Sequence, residues 1–276
     1  MYGILTDDLE LARTGPGEFT HFFAEYVDGT RQDPLEDAIN SVACWGDTAT
    51  VREDPARAAL GADGTRATPD AEGHDWGTVC PTDSDYRAAL LERIERVGAA
   101  GDVRLTTLGF PGETFCRCKR CDRRFEASEY DDRDAWRTAV ITAFVADAAE
   151  RVASDLLATL YPDPYPGNLR ERAGLDPAAL ESHVDGFVVP LCGVGYGTTY
   201  WVESLARGFA RELGDLEATL TIQLSAAGVD AERLAGLTRR LEPHADAFVY
   251  GTYPGDAETV RATIDLLSAD EPRLSV

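Results

Sequence analysis

Four apolar runs of strand length divide the second half of the chain: LLATLYP, GFVVPLC, ATLTIQLS and AFVYGTY. Amphipathic stretches separate and follow the last three, near Tyr200–Leu213, Asp230–Leu241 and Asp256–Leu267. Asp230 and Asp256 stand where helix N-caps belong. Strands that are apolar on both faces and joined by helices make a parallel sheet with right-handed crossovers. The first half continues the alternation with YGIL, INSVACW and VRLTTLGF. CPTDSDYRAALLERIERV reads as a helix start, with Thr82 as N-cap and Asp85 as the capping-box acid. Trp136, Val140, Phe144, Ala148 and Val152 mark one face of a long helix. These seven strands predict an α/β fold, a TIM (β/α)8-like barrel with an irregular or missing strand, over an open doubly wound sheet. The eighth strand either hides near TATV or is absent. We expect a single barrel domain over residues 1–276, with a long loop around 47–79 and a thiol-rich loop around 113–125.

Charge narrows the partners. The chain has 49 acidic and 26 basic residues, a formal net charge of −23, and a single lysine. That field repels nucleic acid and anionic membranes. The acids are spread along the whole chain, a pattern that resembles haloarchaeal cytoplasmic proteins, in which molar salt screens self-repulsion. No run of eighteen apolar residues exists to span a membrane, and MYGILTDDLE lacks the features of a signal peptide. A cytoplasmic location is therefore expected. Neither a G-x-G-x-x-G sequence nor a phosphate loop is present, so nucleotide binding lacks its motif. The oligomeric state is not legible.

FCRCKRCDRRF places three of the six cysteines, Cys116, Cys118 and Cys121, within one turn. Without a secretion signal, metal binding or buried thiols explain them better than disulfides. A tetrahedral zinc site needs a fourth ligand. Cys80, Cys44, Cys192 or a histidine could supply it. Cys80 is favoured because it sits just ahead of a capped helix, where partly positive amides favour thiolate. Arg117, Lys119 and Arg120, interleaved with the ligands, would offset the thiolate charge. A redox or unliganded thiol cluster is the alternative, and an iron–sulfur cluster finds no partner cofactor in the sequence.

CPTDSDYR, followed by a strand and then FCRCKRCDRRF, resembles glycoside hydrolases of the family 42 β-galactosidase type and related glycosyl hydrolase barrels. The run ADGT…W…CP and the later VDGFVVPLCGVGYGTTYWVESLA add to the likeness. The resemblance implies a structural zinc held by Cys80, Cys116, Cys118 and Cys121, and a carbohydrate ligand. The chain departs from the family at its catalytic acids. Where the family carries an Asn-Glu pair, this chain has Thr106 and Thr107 at the end of LTTLGF. The late strands that would carry the nucleophile offer Gln223 and Tyr250.

Glycoside hydrolysis usually needs two carboxyls at C-terminal strand ends. Asp7 and Asp8 follow the first strand, Glu113 follows TTLGFPG, and Asp163 follows LLATLYP. These four are the candidate catalytic acids. Trp45, Phe110, Tyr161, Tyr196 and Tyr253 are the candidate sugar-stacking residues, with Trp201 beside them. Two functions are expected: a glycoside-hydrolase-like enzyme, or a non-catalytic barrel that binds a sugar or partner.

Overall fold

The computed structural model describes residues 1–165, 167–251 and 256–270. Eight parallel strands close into a barrel in sequence order. They are β1 (Tyr2–Thr6), β2 (Phe19–Phe23), β3 (Ile39–Ala43), β4 (Val103–Thr106), β5 (Leu156–Thr159), β6 (Gly186–Pro190), β7 (Thr219–Ser225) and β8 (Ala247–Gly251). Closure is made by β1 pairing with β8, Gly3 beside Val249 and Ile4 beside Tyr250. The helices are α1 (Leu9–Thr14), α2 (Thr48–Glu53), α3 (Ser84–Gly98), α4 (Lys119–Glu126), α5 (Arg133–Ala149), α6 (Asn168–Ala173), α7 (Pro177–Leu180), α8 (Tyr200–Glu212), α9 (Ala231–Leu241) and α10 (Ala257–Asp270). None of them is long and apolar enough to cross a membrane.

The eighth strand is FTHFF, Phe19–Phe23, and no strand is missing. The TATV stretch instead begins α2, with Asp47 as N-cap accepting from the Thr50 amide. FTHFF does not read as a continuous apolar run because its inward side carries a histidine. Phe22 packs outward with Leu35 and Ala38 in a small cluster against Ala12 of α1. By alternation, Phe19, His21 and Phe23 then face the interior. Gly3 on β1 admits the neighbouring ring: a Cβ there would lie 2.6 Å from Phe19 Cδ2.

His21 is fully buried, and among the described residues neither ring nitrogen has a hydrogen-bond partner. Burial, assisted by the charge of Arg104, holds its pKa well below the ordinary histidine value. The folded state therefore keeps His21 neutral while the unfolded chain protonates. Below about pH 6.5 the fold should lose up to ~1.4 kcal/mol per pH unit through this group, until folded His21 also titrates. Urea unfolding at neutral and mildly acidic pH should show a shallower loss for His21→Asn than for the native chain. Equal losses would contradict this account.

The stretch from Asp47 to Val79 is ordered. It is stapled by antiparallel bridges Gly46–Thr78, Ala58–Val79 and Leu60–Arg66. These bridges and the turn bonds between them pair part of its backbone, as a segment with buried backbone requires. The start of α3 differs from the sequence expectation. Asp83, not Thr82, is the N-cap, accepting from the Tyr86 amide at 3.1 Å. Thr82 is turned toward the thiols.

Candidate metal centre and barrel mouth

Cys80, Cys116, Cys118 and Cys121 are brought together, with all four sulfurs within 4.8 Å of one another. The four thiols are not disulfide-bonded. Cys80 Sγ lies 3.8 Å from Cys118 Sγ and 3.4 Å from Cys121 Sγ. Four sulfurs about 2.3 Å from a tetrahedral zinc sit roughly 3.8 Å apart, so the cluster fits a four-thiolate ion. Local structure explains the convergence. Cys118 is the N-cap of α4 and its sulfur accepts the Cys121 amide at 3.5 Å. Cys116 Sγ accepts the Leu60 amide at 3.4 Å, and the Arg117 amide donates back to the Leu60 carbonyl at 2.7 Å. Thr82 Oγ1 stands 3.2 Å from Cys80 Sγ and 3.1 Å from Cys121 Sγ. The centre thus ties the segment after β3 to the segment after β4.

Positive charge surrounds it. Arg120 pairs with Asp83 at 2.7 Å. Against the cost of desolvation, Asp83 together with Cys80 and Cys118 pushes the Arg120 pKa up. Arg133 donates to the Cys116 carbonyl at 2.9 Å and pairs with Asp122 at 2.7 Å. Arg137 is fully buried and grips the backbone on both sides of a loop boundary. Its guanidinium donates to the carbonyls of Gly112 (2.7 Å), Glu113 (3.3 Å), Glu171 (2.6 Å) and Arg172 (2.8 Å). It also lies over the Phe110 ring, 4.8 Å from the centroid.

The four candidate acids are scattered over three βα connections, and among the described residues no hydrogen bond or ion pair joins any two of them. Asp8 caps α1, accepting from the Leu11 amide. Asp163 orders its own turn, accepting from the Tyr165 amide and the Asn168 side chain. Glu113 is exposed in the loop ahead of Cys116, held there through its carbonyl by Arg137. Asp7 is exposed just past the end of β1, next to Tyr26. Burial, reinforced by Asp7, raises the Tyr26 hydroxyl to about 12. Thr106 Oγ1 donates to the Val42 carbonyl. Thr107 Oγ1 accepts the Gly46 amide at 3.1 Å while its backbone holds φ 46°, a conformation costly for a β-branched residue.

Of the candidate stacking residues, Trp45 is fully buried against Phe144 and Tyr86. Phe110 packs in the core by Trp136. Tyr196 is buried, its hydroxyl donating to the Leu191 carbonyl and accepting the Ser225 amide. Tyr253 lies outside the described residues. Tyr161 is exposed past β5, with Arg172 over its ring at 4.0 Å. Trp201 is exposed at the start of α8 and stacks on Tyr196 at 6.5 Å. Tyr165 and Tyr200 are also exposed on these two neighbouring connections. Tyr250 faces outward, its hydroxyl 2.9 Å from that of Thr238 on α9.

Sequence reasoning passed over Arg104. Its guanidinium lies inside the barrel, where Nε donates to Thr159 Oγ1 at 2.9 Å and Nη2 to Gln223 Oε1 at 2.7 Å. Gln223 Nε2 in turn approaches Cys192 Sγ at 3.4 Å, just beyond the end of β6. An arginine inside the apolar VRLTTLGF run was the signal available in the sequence.

No protein-family model and no curated protein sequence matches the chain. Solved structures do resemble it. α-L-Fucosidase isoenzyme 2 from Paenibacillus thiaminolyticus aligns over 98% of this chain with TM-score 0.69 and 12% identity. This chain spans 49% of that enzyme's length. The glycoside hydrolase domain of PelA from Pseudomonas aeruginosa aligns over 91% of this chain and 93% of its own, with TM-score 0.52 and 12% identity. At such identity the likeness establishes the fold alone: a (β/α)8 barrel. Nothing in it singles out family 42.

Proposed function

We propose that this barrel binds carbohydrate at its C-terminal mouth and that the four-cysteine centre holds a structural zinc ion. The observation that carries the carbohydrate reading is the set of exposed aromatic residues, Tyr161, Tyr165, Tyr200 and Trp201, on the connections after β5 and β6. Strand ends of this face are where (β/α)8 proteins take their ligands. Flat aromatic faces beside amide and hydroxyl groups suit a sugar, which presents C–H faces and a rim of hydroxyls. The architecture shared with the fucosidase and the PelA domain points the same way.

Zinc suits the donor set, since four thiolates select a soft ion of tetrahedral preference. The expected role is structural, because a fully thiolate site leaves no open position for substrate. Residence in a salt-rich cytoplasm belongs to the same reading and rests on the spread of acidic residues.

Hydrolysis is a second reading, favoured by the exposed Asp7 carboxylate beside Tyr26 at the end of β1. Its partner would be Glu113 or Asp163. Asp8 and Asp163 are engaged in their own cap and turn hydrogen bonds and Glu113 is exposed in its loop, which favours binding without turnover. A panel of aryl glycosides in molar potassium chloride separates the two, with binding and release of the aryl group followed together. Binding without release is the expected result. Release that is lost in Asp7→Asn or Glu113→Gln would establish the hydrolase instead, and absence of binding to every glycoside would refute the carbohydrate reading.

A further inference from the structure

The barrel interior holds a buried cation for which the described residues supply no counter-ion. Arg104 is 3% exposed, and among the described residues its guanidinium bonds two neutral oxygens, on Thr159 and Gln223. No carboxylate acts on it electrostatically; the titratable neighbour is the Cys192 thiol, which burial pushes above the ordinary thiol value and so keeps uncharged near neutrality. Desolvation lowers its pKa to about 10, so it stays charged near neutrality. A buried charge without a partner is costly, and such a group calls for a compensating ion or ligand.

Register shows where it reaches. Arg104 pairs with Leu157 on β5, yet its Nε bonds Thr159, two residues nearer the C-terminal end. The side chain therefore climbs toward the mouth. Gln223 and then Cys192 continue the path outward, and Cys192 is exposed. Among the described residues Nη1 has no hydrogen-bond partner, and it is not among the fully enclosed orphan atoms. Two enclosed orphans lie on the same inner face. Ser41 pairs with Arg104 in register and its hydroxyl is unbonded. His21, neutral and unbonded, lies close enough to Arg104 to feel its charge.

We propose that Arg104 is the recognition residue for an anionic sugar, a carbohydrate carrying a carboxylate, whose acid group reaches the open Nη1 edge from the C-terminal mouth, beside the hydrogen-bonded Gln223–Cys192 pair. The claim rests on the carbohydrate reading for the ring and on Arg104 alone for the charge. A guanidinium presents a fork matched to a carboxylate, and the Nη1 edge is the one left open. The strongly acidic exterior would deter anions at long range, and molar salt would remove that barrier.

The test compares methyl β-glucuronide with methyl β-glucoside, which share the ring and differ in the charged group. Affinity is measured by calorimetry, and protection of Cys192 from iodoacetamide is followed in parallel. The glucuronide should bind at least about tenfold tighter, as expected for one charge-assisted hydrogen-bonded contact. Arg104→Gln should bring the two affinities together without abolishing glucoside binding, and Arg104→Lys should keep part of the preference. Equal affinities in the native protein would overturn the proposal while leaving the carbohydrate reading intact, and that comparison stands even if the variants do not fold. If neither sugar binds but inorganic phosphate protects Cys192 through Arg104, the anion site stands and the sugar reading falls. If none of the three binds, both fall.

Discussion

Removing one thiolate from the four-cysteine centre should cost more stability than any single core substitution. Cys121 is the best test, because it is fully buried and belongs to α4, one turn past the Cys118 cap. Structural zinc contributes an apparent ~10–16 kcal/mol in small zinc-binding peptides, against a net domain stability of about 5–15 kcal/mol. Here the barrel has a large core of its own, so only the part of that energy spent on ordering the two segments should be lost. Cys121→Ser should lower the urea midpoint by the equivalent of several kcal/mol and strip the metal. The native protein should carry about one zinc per chain, and chelation should reproduce the variant's loss. The Leu60–Cys116 and Leu60–Arg117 hydrogen bonds should open with it, exposing the 47–79 segment to proteolysis. A metal-free protein of unchanged stability would contradict this.

Arg137→Ala should be nearly as damaging, for a different reason. The guanidinium satisfies four backbone carbonyls at once, two at the end of α6 and two ahead of Cys116. Cation at a helix C-terminus is the favourable polarity. Truncation strands buried acceptors and opens a cavity beside Phe110, a combination worth about 3–5 kcal/mol. Arg137→Lys keeps the charge but loses the fork, and should recover only part of the loss. The readout is the urea midpoint with the slope unchanged. A shift of less than about 1 kcal/mol would show that the carbonyls find water instead.

The two predictions differ in how far the sequence foretold them. The grouping of the thiols was readable because three cysteines in a short loop need a fourth ligand to hold an ion, and Cys80 stood just ahead of a helix; the structure brings the four together. Seven strands were readable because parallel barrel strands are apolar on both faces. FTHFF escaped because burial of His21 inside the barrel breaks that pattern, and only the structure shows its ring nitrogens without hydrogen bonds among the described residues. Thr82 and Asp83 are both good caps, and the thiols decide between them by drawing Thr82 away. Aromatic residues near strand ends were ambiguous. Trp45, Phe110 and Tyr196 turn into the core between strands and helices, whereas Tyr161 and Trp201 stay exposed. Arg137 was invisible as a functional group, because one guanidinium among many does not reveal which carbonyls will surround it; Arg104 was marked only by its place inside an apolar strand.

The most direct test of the carbohydrate-binding claim is titration of the native protein with a panel of neutral and acidic oligosaccharides in molar potassium chloride, repeated with Trp201→Ala and Tyr161→Ala. Both side chains are exposed at the mouth, so their loss should leave the fold intact. We expect saturable binding by the native protein, weakened about tenfold or more in each variant, as loss of an aromatic face of ~1.5 kcal/mol requires. Binding of no sugar at all, or binding that neither variant alters, would contradict the assignment of this mouth as a carbohydrate site.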